Sequence, residues 1–323
     1  MDRETVLVLA KPAEEKLALL ERLPAGTRVI VGLTPDVFSH AAADAAVIFC
    51  WAFSRDLLRQ ILAMAPRVRW VHTRAAGIDN LLFPELVHSA AVLTNGSGVF
   101  SPSLGEWVLG AILYFAKDFR RLIESQKGGR WDPFTVTEIA GQTLGIVGYG
   151  DIGRAIAARA HALGMRILGM TRRGALAEAK DPLVSEMFGP ADRLAMIEQC
   201  DYLAVAAPLT AETRGLIGPA EFAAMKPNAV VINVGRGPVI DEGALVSALT
   251  ERRIKGAALD VYDCEPLPQG HPLYYLDNAL LSPHCADHTA DWLEAAMRFF
   301  LEQFERFHRG EPLLNVVDKE RGY

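Results

Sequence analysis

Short apolar runs recur along the first third of the chain, separated by stretches whose apolar positions return every third or fourth residue. Thr5 to Ala10, Arg28 to Gly32, Ala46 to Trp51, Val68 to Thr73 and Ala91 to Thr94 read as buried strands. Ala13 to Leu23 carries helical spacing, and so does Ser54 to Met64, with Ser54 as its cap. Strands alternating with helices predict a parallel sheet covered on both faces. From Asn95 to Ser103 glycine and serine break the pattern. A long apolar helix then runs from about Leu104 to Gln126, ended by Gly128 and Gly129. A second alternating series occupies Gln142 to Pro283. Its strands fall at Leu144–Val147, Arg166–Met170, Tyr202–Ala206, Val230–Asn233, Ala257–Val261 and Ala279–Leu281. Ala286 to His308 closes the chain as an amphipathic helix. The class is α/β, and 323 residues amount to about two domains.

Composition narrows the partners. Half the residues are hydrophobic, enough for a large core. The 33 basic and 39 acidic side chains leave a net charge of -6, with no cation excess for a nucleic-acid backbone. Asp2, Arg3 and Glu4 stand where a secretory segment would turn apolar, and the longest apolar run, Trp107 to Ala116, is about half a membrane span. Cys50, Cys200, Cys264 and Cys285 are scattered and form no Cys-x-x-Cys pair, which points to reduced thiols rather than disulfides or a metal site. The expected setting is cytoplasmic, with no membrane and no nucleic-acid partner.

Gly148-Tyr-Gly150-Asp151-Ile152-Gly153 follows an apolar strand and opens a helix. Gly148 permits a tight turn, Gly150 lets backbone approach a pyrophosphate, and Gly153 lets the helix close on the strand. A second strand arrives at the spacing of a dinucleotide fold, but where NAD-binding chains carry a carboxylate it continues into Thr171-Arg172-Arg173. With no carboxylate to repel a 2′-phosphate and two guanidiniums to hold one, NADP is expected over NAD.

Arg236, Glu265 and His284 each follow a strand of the second series, where open α/β sheets hold their ligands. Ketone reduction needs a cation for a substrate carboxylate, a proton donor for the alkoxide, and a carboxylate that keeps an imidazole donor charged. These three residue types can fill those roles. Taken singly, each also suits a phosphate-binding turn, a solvated Glu-Pro turn or a hydrogen-bonded loop.

Together with Asn233-Val-Gly-Arg-Gly-Pro-Val-Ile-Asp241, Leu259-Asp-Val-Tyr-Asp-Cys-Glu-Pro-Leu267 and Ser282-Pro-His-Cys-Ala-Asp-His-Thr289, these pieces resemble the D-isomer-specific 2-hydroxyacid dehydrogenases over nearly the whole chain. The resemblance implies NAD(P)-linked reduction of a 2-keto acid, of the glyoxylate or hydroxypyruvate type, to a D-2-hydroxy acid. It makes Arg236 the grip on the substrate carboxylate and keto oxygen, His284 the proton donor and Glu265 its partner. The backbone of Ala76 and Gly77 would hold the carboxylate. Asp260 would orient the nicotinamide carboxamide, Val234 and Gly235 would line that side, and Ala207, Pro208 and Thr213 the adenosine side. The implied fold inserts a Rossmann-type cofactor domain, residues 98–285, into a flavodoxin-like substrate domain made of 1–97 and 286–323. A homodimer through the cofactor domain is implied as well.

Two features set this chain against parts of that family. Thr171 replaces the acidic residue of NAD-preferring members, and Glu265 stands where formate dehydrogenases carry glutamine. Relatives that act as dinucleotide-sensing corepressors make a binding protein the alternative function. His288, four residues after His284, takes no assigned role. Trp51 and Phe53 are candidates to line the keto-acid pocket or to serve as core.

Overall fold

A computed structural model describes residues 4–172 and 181–323, so Arg173 lies outside the described residues. The chain divides into two compact units, Met1–Phe100 with Thr289–Tyr323, and Ser101–His288.

The sheet of the first unit is parallel throughout. Its strands are β1 (Thr5–Leu9), β2 (Arg28–Gly32), β3 (Ala45–Cys50), β4 (Trp70–Thr73) and β5 (Val92–Thr94), in the spatial order β2-β1-β3-β4-β5. That is the flavodoxin-like order. Every residue of β1 and β3 is buried, as expected of central strands covered on both faces. One cover is the helix Trp292–His308, which returns to this sheet and stacks Phe300 on Phe49 at 3.9 Å between ring centroids. Burial of such a ring contributes about 1.5–3 kcal/mol. That helix begins at Trp292, six residues later than the pattern predicts; the residues at the expected start, Cys285 and Ala286, instead donate their N–H groups to Asp260 in the histidine loop. The segment expected as a helix from Ala13 folds as a 3-10 helix, Glu15–Arg22. Its two buried residues, Leu17 and Leu20, are three apart, the spacing that a three-residue turn stacks on one face.

The second unit holds seven parallel strands: β6 (Thr143–Val147), β7 (Arg166–Met170), β8 (Glu186–Phe188), β9 (Tyr202–Val205), β10 (Val230–Asn233), β11 (Gly256–Leu259) and β12 (Ala279–Leu281). Their order is β12-β11-β10-β9-β6-β7-β8. Counted from β6 this is the doubly wound Rossmann order, with its switch point between β6 and β9. β8 went unpredicted; it is three residues long, of which only Phe188 is buried. The long helix predicted from Leu104 is two helices, Ser101–Ala116 and Phe119–Lys127. Asp118 breaks it: its backbone is left-handed (φ 49°) and its carboxylate accepts from Arg121 N, capping the second helix. Among the described residues no helix is long and apolar enough to cross a membrane.

Candidate active site

The glycine turn after β6 is built as its spacing demands. Gly148 has φ 90°, and a Cβ there would stand 2.5 Å from Ala207 N. The N–H groups of Gly148 and Tyr149 both donate to Met170 O, tying the turn to the end of β7. A Cβ on Gly153 would meet Gly148 O at 2.7 Å, so only glycine lets the helix Asp151–Ala162 start so close to the strand. Gly150 differs. No protein atom lies within 4 Å of where its Cβ would be, so neighbouring protein does not demand a glycine there. An approaching phosphate does, and no side chain caps the helix that begins at Asp151 and Ile152. These features fit a dinucleotide.

Around the turn, Thr171 is half-buried and donates its N–H to Phe188 O at 3.1 Å, while Arg172 is exposed. Asp181, the first residue described after Arg172, accepts from Tyr149 Oη at 3.0 Å and pairs with Arg154 at 3.1 Å. Ala207 is buried between Gly148 and Gly235, and Pro208 is exposed. Thr213 Oγ1 donates to Pro208 O at 2.6 Å and accepts from Thr210 N at 2.8 Å, so its hydroxyl shapes the 208–213 turn itself.

At the ends of β10, β11 and β12 the structure brings the three strand-end residues together. Asn233 clamps the first turn: its Oδ1 accepts from Gly235 N and its Nδ2 donates to Arg236 O, both at 3.0 Å. Val234 and Gly235 are buried beneath Arg236, whose Nη1 donates to Gly235 O at 2.9 Å. Glu265 Oε1 accepts from Tyr262 N at 3.0 Å, and Glu265 Oε2 lies 2.6 Å from His284 Nδ1. Tyr262 Oη donates to Ser282 O at 2.8 Å, joining the loops that carry Glu265 and His284. His284 itself has φ 52°, a conformation side chains other than glycine adopt at a cost, held here by its neighbours. One of them is Asp260. Its Oδ1 accepts from Ser282 Oγ at 2.6 Å, Cys285 N at 2.9 Å and Ala286 N at 3.1 Å, so this buried carboxylate braces the histidine loop from below.

The electrostatics follow from that geometry. The hydrogen bond to Glu265 raises the His284 pKa above its ordinary value, against partial burial and the Arg236 charge, which lower it. Burial alone would raise the Glu265 pKa, but the bonds from His284 and Tyr262 N outweigh it and hold the carboxyl below its usual range. The pair is a carboxylate beside a cation-favouring imidazole. Burial raises Asp287, a few residues on, whose carboxylate lies 3.8 Å from His288 Nε2. Asn233 and Tyr262 were not foreseen as site residues. Both lie inside the motifs that carry the resemblance, each two or three positions from a chemical residue.

In the first unit, the expected carboxylate loop follows β4. Arg74 Nε donates to Trp51 O at 2.6 Å, and its guanidinium lies 4.8 to 5.1 Å from the ring centres of Phe53, Trp51 and Trp292. Trp51 is core, with Nε1 donating to Glu14, whereas Phe53 is half exposed. The carbonyl of Ala75 accepts from Gly96 N at 2.9 Å, and that of Ala76 accepts from Asn95 Nδ2 at 2.7 Å. In a trans peptide the C=O and the next N–H point opposite ways. Both bonds therefore turn the N–H groups of Ala76 and Gly77 away from the β5 end, and neither N–H has a hydrogen-bond acceptor among the described residues. In the sequence Asn95 only opens the glycine-and-serine stretch and carries no site signal.

Residues 109–286 match the family model described as D-isomer specific 2-hydroxyacid dehydrogenase, NAD binding domain. The chain is 32% identical over 322 residues, 97% of its length, to D-3-phosphoglycerate dehydrogenase of Methanocaldococcus jannaschii, and spans 59% of that longer relative. It is 35% identical over 273 residues to glyoxylate reductase of Thermococcus gammatolerans, covering 81% of this chain and 79% of the relative. Among solved structures, an NADPH-dependent glyoxylate/hydroxypyruvate reductase from Sinorhizobium meliloti, in complex with NADP and sulfate, superimposes with a TM-score of 0.84. That match has 27% identity and covers 99% of this chain and all of the other.

Proposed function

The chain belongs to the D-isomer-specific 2-hydroxyacid dehydrogenases, and from that premise we propose that it reduces a 2-keto acid of the glyoxylate or hydroxypyruvate type to the D-2-hydroxy acid with NADPH. The observation that carries the reading is the His284–Glu265 pair at 2.6 Å, set at strand ends beside Arg236. NADPH supplies the hydride when bound. Arg236 and the amides of Ala76 and Gly77 hold the substrate carboxylate, and Arg236 also stabilises the charge that grows on the keto oxygen, a contribution of about 2.7–4 kcal/mol for one such donor. His284 Nδ1 faces Glu265, so Nε2 delivers the proton to that oxygen. Glu265 keeps the imidazole charged until then and stabilises its orientation afterwards.

Arg172 and Arg173 are assigned to the 2′-phosphate, supported by Thr171 where a carboxylate would select NAD. Asp260 is assigned to the nicotinamide carboxamide through the oxygen not engaged with the histidine loop. A homodimer through the second unit is supported by exposed apolar side chains: Phe119, Leu122 and Ile123 at helical spacing on Phe119–Lys127, and after it Val136 and Trp131, the latter 96% exposed. A cytoplasmic setting accords with four cysteines that are all free thiols. The test is loss of NADPH or NADH absorbance against a panel from glyoxylate and hydroxypyruvate to phenylpyruvate. Turnover with NADPH on a small 2-keto acid is expected. Binding of NADPH without turnover on any acid overturns the reading.

A further inference from the structure

Asn95 is buried at the end of β5 with both ends of its amide in use: Nδ2 on Ala76 O at 2.7 Å and Oδ1 on Ser97 N at 3.2 Å. What fixes Asn95 comes from the end of the chain. Asn315 O accepts from Asn95 N at 3.3 Å, and Asn315 Nδ2 donates to Ser97 O at 2.6 Å and Asn95 O at 3.4 Å. Asn315 stands in the left-handed region (φ 52°), which asparagine tolerates better than most residues. The segment that follows it is anchored as well. Val316 bridges Thr94 antiparallel and Val317 N donates to Leu93 O, closing the edge of the sheet at β5. Lys319 Nζ donates to the carbonyls of Leu86, Ser89 and Ala91.

We propose that Asn95 and Asn315 are positioning residues for substrate: the chain end, acting through Asn315 and Asn95, fixes the peptide planes that aim the Ala76 and Gly77 amides at the substrate carboxylate. The inference rests on the function proposed above and goes beyond it in giving the C-terminal segment a part in binding. Amides contribute fully only when held within about half an ångström of their bound geometry, and a freed peptide plane rotates by far more. Because the carboxylate is held alike before and during hydride transfer, a loosened loop raises KM and spares kcat.

Asn95→Ala removes the bond to Ala76 O. Asn315→Gly keeps the left-handed backbone and the bond from Asn95 N to its carbonyl while deleting the side-chain bonds to Asn95 O and Ser97 O. For both we expect the KM of the preferred 2-keto acid to rise five- to twentyfold, with kcat changed less than threefold and NADPH affinity unchanged. The inhibition constant of oxamate, a carboxylate-bearing mimic, should rise in step with KM. Thermal unfolding of each variant is measured alongside. A lowered Tm with KM and oxamate inhibition at wild-type values makes both residues structural only and overturns the inference while leaving the proposed function standing. If Asn95→Ala does not fold, Asn315→Gly decides by the same criteria. Wild-type protein inactive on every 2-keto acid overturns the functional reading, and this inference with it.

Discussion

In the second unit the groups assigned to chemistry are side chains, Arg236, Glu265 and His284, standing just past β10, β11 and β12. In the first they are two backbone N–H groups, of Ala76 and Gly77, standing just past β4. The supports differ in the same way. Asp260 and Tyr262 brace the histidine and its partner through three hydrogen bonds to one carboxylate oxygen and one phenol bridge. The amide loop is held through its own carbonyls, by Asn95 and Gly96. A side-chain site tolerates small backbone shifts because rotamers can compensate, whereas an amide site moves with its backbone. Each unit accordingly holds a glycine where any Cβ would strike backbone: 1.9 Å from Tyr262 C at Gly237, and 2.2 Å from Arg74 O at Gly96.

The strongest test of the side-chain half is His284→Gln. Glutamine keeps polarity and removes the transferable proton, so kcat for reduction should fall about 100- to 10,000-fold, the usual worth of a positioned acid. Affinity for NADPH, measured by fluorescence, should stay as in wild type. A variant that instead raises only KM would strip His284 of the acid role. Next in size are the two glycines. Gly96→Ala and Gly237→Ala both force backbone apart, and each should cost at least about 1–3 kcal/mol, read as a lowered midpoint in denaturant unfolding. If the units answer to different rules, folded Gly96→Ala protein loses mainly keto-acid affinity, whereas Gly237→Ala loses kcat as well.

Much of the second unit was legible because its signals are residue types. The Gly148, Gly150 and Gly153 spacing, and an Arg, a Glu and a His each after an apolar run, carry their chemistry in their side chains. What stayed hidden is support: Asn233 and Tyr262 act on backbone partners that are fixed only once strands pair. In the first unit even the functional groups were hidden, since an amide has no residue type. Ala76 and Gly77 entered through the resemblance alone, and Asn95 and Asn315, 220 positions apart, had nothing local to link them. Helix boundaries failed for related reasons. Asp118 splits the first long helix with a left-handed backbone and a side-chain cap, and periodicity does not register that.

A moderate effect separates charge from geometry at His284. The imidazole pKa is raised chiefly by its hydrogen bond to Glu265. Reduction needs the protonated form, so kcat/KM should be level below that pKa and fall as pH rises through it. Glu265→Gln keeps a hydrogen-bond acceptor and removes the charge. Partial burial and Arg236, which both lower the pKa, then act unopposed by the Glu265 carboxylate, and the alkaline fall should move to lower pH. Full pH profiles of both proteins check this. A fall at the same pH in both would assign it to another group.

The smallest effect expected is also the sharpest on the comparison. Ala76→Gly deletes a half-buried methyl and leaves the N–H and the carbonyl held by Asn95 in place. If the first unit works through backbone alone, the only cost is added loop freedom, about 0.5–1 kcal/mol for glycine against alanine. At room temperature that corresponds to a rise in KM of about two- to fivefold. No side-chain truncation at Arg236, Glu265 or His284 should be so mild. Steady-state kinetics on the preferred 2-keto acid, with Asn95→Ala measured beside it, put the two on one scale: the variant that spares the amide but loses the side chain should sit near wild type, and the one that keeps Ala76 but frees its peptide plane should not. A tenfold or greater loss in Ala76→Gly would mean that the methyl itself touches substrate, and the contrast between an amide site and a side-chain site would fail.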